Sequence, residues 1–123
     1  MKINYLHIFF ILALFIPSIS LGNDCEDKSS IMAEVRQCLL DTGSKQVDDV
    51  YRDVLAKARA KNEKLAELLS KSQYSWKEFS QNSCAFEKSL NADNMLPDDA
   101  YVNCMADFSQ ARIRILKEFG RHM

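Results

Sequence analysis

The chain has very little glycine and proline, with three and two residues respectively among 123. A β-sandwich needs many turns, and a phosphate-binding loop needs several glycines close together. Neither architecture fits so few turn-forming residues. The sequence also lacks runs of strict apolar and polar alternation bounded by turn residues, which is the pattern of a half-buried strand. The composition therefore predicts an all-α protein.

An excess of charge of either sign is also missing. Sixteen Lys and Arg residues balance seventeen Asp and Glu residues, for a formal net charge of -1. The chain therefore lacks the basic surplus that drives binding to phosphate backbones, and we expect no nucleic-acid partner. The length fits one small domain, and the composition is that of an ordinary globular protein.

Histidine is nearly absent, occurring only at His7 and His122. A Ser or Cys nucleophile usually needs a nearby base, so we expect no catalytic residues and no enzyme activity. A zinc site would also need ligands at short spacing, and the sequence has no Cys-x-x-Cys pair. We expect neither a metal ion nor another cofactor.

The first residues have the pattern of a secretory signal peptide. Lys2 precedes an unbroken apolar run at 8–16, Pro17 ends the run, and small residues follow at Ser20 and Gly22. The run covers about half of the ~20 residues that a membrane helix needs, which makes an uncleaved anchor the lesser alternative. We expect a signal peptide at 1–22, one helical domain at 23–123, and a periplasmic or secreted protein without stable membrane insertion. Cleavage after Ser20 is nearly as well supported as cleavage after Gly22.

All four cysteines follow this leader, at Cys25, Cys38, Cys84 and Cys104. An oxidising compartment and an even number of cysteines favour two disulfides. Sequence alone leaves three connectivities open. Pairing between sequence neighbours, Cys25 with Cys38 and Cys84 with Cys104, is our working hypothesis.

Apolar periodicity predicts about four helices. The first begins after an N-cap at Ser29 or Ser30 and ends near Gly43, which is suited to the left-handed position at a helix end. The second carries an apolar stripe over 47–58. The expected fold is a small helical bundle stapled by two disulfides.

The third predicted helix follows a break near Asn62 and carries an apolar stripe over 65–83. The fourth begins at Pro97 and stops at Gly120. The aromatic residues of the third helix are expected in the hydrophobic core, with a ligand pocket as the alternative. They are Tyr74, Trp76, Phe79 and Phe86.

The order of several residues along the chain forms a recognisable pattern. In sequence it reads Cys25, Cys38, Tyr51, Gln73, Trp76, Phe79, Cys84, Cys104 and Arg112. This order resembles the LprI-type lysozyme inhibitors, small exported helical proteins whose pattern contains Gln-x-x-Trp-x-x-Tyr-Arg-Asp-x-x-Cys. The present chain departs from that pattern at Asp48 and Asp49, where the family has Leu-Asn before the Tyr, and at Ser80-Gln81, which stand for Arg-Asp.

The resemblance implies that this chain binds a protein partner, a lysozyme or another peptidoglycan hydrolase. It would inhibit a lysozyme-type muramidase by occluding its cleft, in the bacterial envelope or outside the cell. The family-motif core would be Tyr51, Gln73, Trp76, Phe79 and Arg112. An immunity protein against a peptidoglycan-degrading toxin is one alternative, and a structural envelope protein without an enzyme target is another.

An irregular segment at 89–96 separates the third and fourth predicted helices. The resemblance makes this segment the candidate contact with the partner, because host lysozymes are typically basic and an acidic surface would attract them. The candidate contact residues are Asp93, Asn94, Asp98 and Asp99. We expect the three aspartates to be exposed to solvent.

Overall fold

The computed structural model of the chain describes residues 21–93 and 96–123. This part of the chain is helical throughout its regular elements and contains no strand. Its four helices are α1 at Leu21–Lys28, α2 at Met32–Lys61, α3 at Glu63–Leu90 and α4 at Pro97–Arg121. The predicted all-α fold with about four helices and two disulfides is confirmed. Of the signal peptide predicted at 1–22, residues 1–20 lie outside the described residues.

Helices α2, α3 and α4 form a three-helix bundle, to which α1 is attached through α2. Contacts between α2 and α4 advance together along both helices, from Arg36 with Asp99 to Lys57 with Gly120, so these helices are parallel. Contacts of α3 run in the opposite sense; its end near Leu90 therefore lies beside the starts of α2 and α4. The irregular segment after α3 is thus placed at that end of the bundle.

The predicted break at Asn62 is confirmed. This single residue has an extended backbone, with φ -167° and ψ 154°, between the last residue of α2 and the first of α3. Its N–H donates to Ala58 O at 3.0 Å, and its side chain accepts from the Leu65 N–H at 2.9 Å. One asparagine therefore caps both helices, which allows the chain to reverse without a longer loop.

The predicted helix end at Gly43 is wrong, because α2 runs through it without interruption for 30 residues. Gly43 has no positive φ, so it does not use the left-handed conformation expected at a helix end. Packing against α4 stabilises the helix across this position, and tertiary contacts outweigh the weak helix propensity of one glycine. The first two predicted helices are one element. The predicted N-cap is displaced as well, to Ile31, which makes no side-chain cap bond.

The fourth predicted helix is confirmed, because α4 begins at Pro97 and ends at Arg121, one residue past the predicted stop at Gly120. The structure gives this glycine a packing role. A Cβ atom at position 120 would lie 3.3 Å from Val54 Cγ2, which is a tight contact between α4 and α2. The absent side chain lets the parallel helices approach closely at this point.

The apolar core lies at the Asn62 end of the bundle. It consists of Val47, Val54, Ala58, Ala66, Leu69 and Leu116. The expectation that the aromatics of α3 belong to the core is wrong for three of the four: Tyr74, Phe79 and Phe86 are 72%, 62% and 65% exposed, and only Trp76 packs partly against the core. The buried face of α3 instead carries small and polar residues, because α3 sits in the groove between two helices.

Two disulfides link the helices, as predicted. Cys25–Cys38 joins α1 to α2, and Cys84–Cys104 joins α3 to α4, so both bridges connect sequence neighbours. Among the described helices, none combines the length and the apolar character that crossing a membrane requires.

Replacing Gly43 by Ala tests whether α2 is continuous. An added Cβ would lie 3.6 Å from Ser109 Oγ, in ordinary contact, and φ is not positive. We therefore expect Gly43→Ala to raise the free energy of unfolding by about 0.5–1 kcal/mol, because alanine favours the helix interior. Urea denaturation of the oxidised protein measures this. A helix end at Gly43 would instead make the substitution destabilising, and the tight contact at Gly120 makes Gly120→Ala the less favourable of the two changes.

The two disulfides predict how the mass of the exported protein changes on reduction and how its cysteines react with thiol reagents. Reduction should raise the intact mass by about four hydrogens, two per bridge. Before reduction we expect no cysteine to react with a thiol reagent, and peptide mapping should recover Cys25 linked to Cys38. A peptide linking Cys38 to Cys84 would contradict the observed pairing.

Candidate functional site

A buried arginine lies at the centre of the bundle. Arg112 of α4 is 5% exposed. Its Nε donates to Gln73 Oε1 at 2.9 Å, and its Nη2 donates to Ser72 Oγ at 3.1 Å. The guanidinium also lies over the Trp76 ring, 5.8 Å from the ring centroid, as a cation–π contact. One side chain of α4 therefore engages three residues of α3.

Within the described residues, no carboxylate forms an ion pair with this guanidinium. Burial lowers the pKa of Arg112 from its ordinary value, because the charged form loses hydration. The nearby Tyr51 of α2 acts in the opposite direction. The charge is therefore held by neutral acceptors and an aromatic ring, and these partners become critical to the fold.

Gln73 is the main acceptor, and its orientation is fixed by the arginine. Its Oε1 must face the guanidinium, since a flipped amide would oppose two donors. This orientation leaves Nε2 buried without a hydrogen-bond partner among the described residues, while the side chain as a whole is 4% exposed. Gln73 is therefore a polar residue at a core position because the buried Arg112 needs its side-chain oxygen as an acceptor.

The structure brings together four of the five predicted motif residues. Tyr51 of α2 donates through its hydroxyl to Ser70 Oγ at 3.1 Å and lies near Arg112, beside which Gln73 and Trp76 are placed. Phe79 lies apart and is exposed, with its ring edge-on to Phe108 at 5.6 Å. We call Tyr51, Gln73, Trp76 and Arg112 the motif cluster. Arg112 bonds α4 to α3, and the hydroxyl of Tyr51 bonds α2 to α3.

The acidic residues at the other end of the bundle are mostly paired. Asp98 Oδ1 lies 2.5 Å from Lys88 Nζ, and Asp99 Oδ1 accepts from Arg36 Nε at 2.6 Å. The expectation that all three aspartates are exposed is therefore wrong for Asp99, which is partly buried, with its side chain 31% exposed. Asp93 is exposed, and Asn94 lies outside the described residues.

These pairs depend on pH in a defined direction. The hydrogen bond from Lys88, aided by its charge, holds the pKa of Asp98 below its ordinary value, and Asp99 raises the pKa of Arg36. Because the folded-state pKa of Asp98 is lowered, the pair contributes to stability above the unfolded-state value of about 3.9. That contribution is lost as the pH falls through the lowered value.

Sequence reasoning missed a set of exposed apolar residues at the same end. Phe86, Leu90 and Leu96 are 65%, 68% and 56% exposed. We call these three residues and Asp93 the tip surface. A signal was present, because Phe79, Phe86 and Leu90 recur at seven and four residues along one face of α3. That same periodicity is also what a core stripe shows.

The part of the chain that the structure describes contains no group of three or more His, Cys, Asp or Glu side chains arranged to hold a metal ion. The base of the tip surface is tied by Cys84–Cys104 and by the Lys88–Asp98 pair.

Comparison with known proteins gives one match. The family model described as Lysozyme inhibitor LprI matches residues 25–116, a range that includes all four cysteines, the motif cluster and the tip surface. No curated protein and no solved structure matches.

Removing the acceptor of Arg112 tests the motif cluster. Gln73→Leu leaves the buried Arg112 Nε without its partner, so we expect a loss of about 1–3 kcal/mol in the free energy of unfolding. Gln37→Leu is the matched control, because Gln37 is exposed and bonds only Asp41 of its own helix. Chemical denaturation followed by Trp76 fluorescence measures both variants. Equal stabilities would contradict the structural role of the cluster.

Proposed function

Because this chain belongs to the family of LprI lysozyme inhibitors, we propose that it inhibits a lysozyme-type muramidase by occluding the catalytic cleft of that enzyme. The observation that carries the proposal is the extent of the family match, which includes the disulfide framework and the motif cluster together. The family is one of inhibitors, so the chain acts by binding and performs no chemistry on the substrate.

The proposal includes export. A signal peptide at 1–22, cut after Gly22, would deliver residues 23–123 to the periplasm or the medium. Cys25 stays in the mature chain after this cut and can pair with Cys38 of α2. Disulfides persist in such oxidising compartments, which supports this location.

The tip surface is the proposed contact with the enzyme. Interface energy concentrates in a few large apolar or aromatic residues that become fully desolvated, surrounded by a polar rim. Phe86, Leu90 and Leu96 have the size and exposure of such residues, and Asp93 supplies a rim charge. A muramidase cleft is concave, so a convex end of a helical bundle has the complementary shape.

Rigidity at the base of the tip favours binding. Cys84–Cys104 fixes α3 to α4, Lys88–Asp98 adds a second link, and Arg36–Asp99 ties the start of α4 to α2. A surface that is already ordered loses less conformational entropy when it binds. Lys88 and Arg36 offset the charges of Asp98 and Asp99. The main role of these two aspartates is therefore to position the tip surface, and their attraction for a basic enzyme is secondary.

Truncating the apolar part of the tip tests the proposed contact. We expect Phe86→Ala combined with Leu90→Ala to weaken inhibition of a basic muramidase by about 10–100-fold, because central apolar contacts contribute about 1–3 kcal/mol to binding. The measurement is the inhibition constant in a cell-wall clearing assay with the oxidised mature protein. Tyr74→Ala is the matched control, since Tyr74 is 72% exposed on the same helix away from the tip.

Neutralising the acidic residues gives a second, smaller effect. Asp93, Asp98 and Asp99 changed together to Asn should slow association at low salt, and the difference should shrink as salt screens the charges. Unchanged inhibition in both tip variants would assign the contact to another face. Absence of inhibition by the correctly folded wild type would contradict the proposed function. It would leave immunity against a peptidoglycan-degrading toxin, which a neighbouring toxin gene would support, and a structural envelope protein without an enzyme target.

A further inference from the structure

A groove of about 350 Å³ lies between the three long helices, in the half of the bundle opposite the apolar core. Its walls come from α2 at 39–46, α3 at 76–81 and α4 at 102–110. The volume is within the range of small-molecule sites. Of the motif cluster only Trp76 lines this groove, and no residue of the tip surface does.

The floor of the groove is made of small residues. Ser80 and Ser109 are 0% and 5% exposed, and Gly43 faces Ser109 across the α2–α4 contact. Helix packing does not require glycine here, because an added Cβ would make ordinary contact at 3.6 Å. Larger side chains at these positions would fill the groove and stabilise the bundle. Proteins often keep such a less stable arrangement where a binding site must stay open.

The walls are poor in charge and rich in amides. Lys77 is the one charged residue among the sixteen that line the groove, in a chain with 27% charged residues, and Asp48 neutralises it at 3.1 Å. Three of the five glutamines of the chain, Gln46, Gln81 and Gln110, line it together with Asn103. An amide side chain both donates and accepts hydrogen bonds, which suits a neutral ligand with many hydroxyl groups.

Trp76 adds an aromatic ring to the amides that line the groove. It lines the groove, is partly exposed, and is held in place by Arg112. A pyranose ring presents apolar C–H groups on its face and hydroxyl groups at its edge. A fixed indole ring beside several amides matches both features.

We propose that this groove is a binding site for a neutral oligosaccharide. A peptide is the weaker occupant. A helical peptide would pack on the apolar side chains of Leu39, Leu40, Val102 and Met105 but would cover the four amides without pairing them, since its own backbone groups are already bonded. An extended peptide adds to a sheet edge, and the described residues form no strand. A phosphorylated or acidic ligand would need uncompensated basic residues. The site does not depend on the proposed inhibition of a muramidase, since it lies apart from the tip surface.

Trp76 is the single tryptophan of the chain, so its fluorescence reports directly on the groove. Titration of the oxidised protein with chitotriose, a neutral trimer of N-acetylglucosamine, should give a saturable change in Trp76 emission. The side-chain amide resonances of Gln46, Gln81 and Gln110 should shift with the same midpoint. Maltotriose tests whether the acetamido groups matter, and trialanine tests the peptide alternative.

Two variants locate the binding. Ala106→Leu places bulk in the groove at an exposed helical position, and it should raise the apparent Kd for chitotriose at least tenfold. Ala60→Leu is the matched control, on an exposed face of α2 outside the groove, and should bind as the wild type does. Gln81→Leu should weaken binding without changing helicity, which circular dichroism checks.

Absence of any response up to about 10 mM sugar would overturn the proposal, because affinity beyond that concentration is too weak to be specific. A response to trialanine but not to either sugar would overturn it in favour of a peptide site. Sugar binding that Ala106→Leu leaves unchanged would also overturn it. Loss of muramidase inhibition in the tip variants leaves this outcome unaffected, so the two proposals fail separately.

Discussion

The buried Arg112 and its partners are the interaction on which the rest of the structure depends. A guanidinium in the interior must be hydrogen-bonded, and Gln73 and Ser72 provide the acceptors while Trp76 supplies an aromatic face. These requirements fix the rotation and the register of α3 relative to α4. Burial of a charge without partners would cost several kcal/mol, so alternative registers of the same apolar faces are disfavoured.

That constraint divides the bundle into two unlike halves. On the Asn62 side, Val54, Leu116 and their neighbours form an apolar core, and Gly120 lets α4 approach α2 closely. On the other side, small and amide residues leave a groove, and the Cys84–Cys104 bridge holds α3 and α4 together there. A covalent link at the poorly filled end stabilises the fold mainly by restricting the unfolded chain. The exposed apolar tip and the groove can therefore coexist with a stable fold.

Particular residues show where sequence reasoning succeeds and where it fails. Asn62 was predicted correctly, since an Asn cap acts through bonds to its immediate neighbours. The helix end predicted at Gly43 is wrong, because a glycine inside a packed helix has the same sequence signature as one that ends a helix. Phe79 and Phe86 were misplaced in the core because their spacing defines a face of α3 without saying which way that face points.

The sequence by itself determined the all-α class, the break at Asn62, the number of disulfides and the family pattern. Each of these follows from local periodicity, capping or the count and order of residues. Only the tertiary structure decided which helix faces are buried, because that choice depends on how α3 fits between two parallel helices. The tertiary structure also brought Gln73 and Tyr51 to Arg112 and paired Asp99 with Arg36, since residues 39 to 63 positions apart meet only when packing brings their helices together.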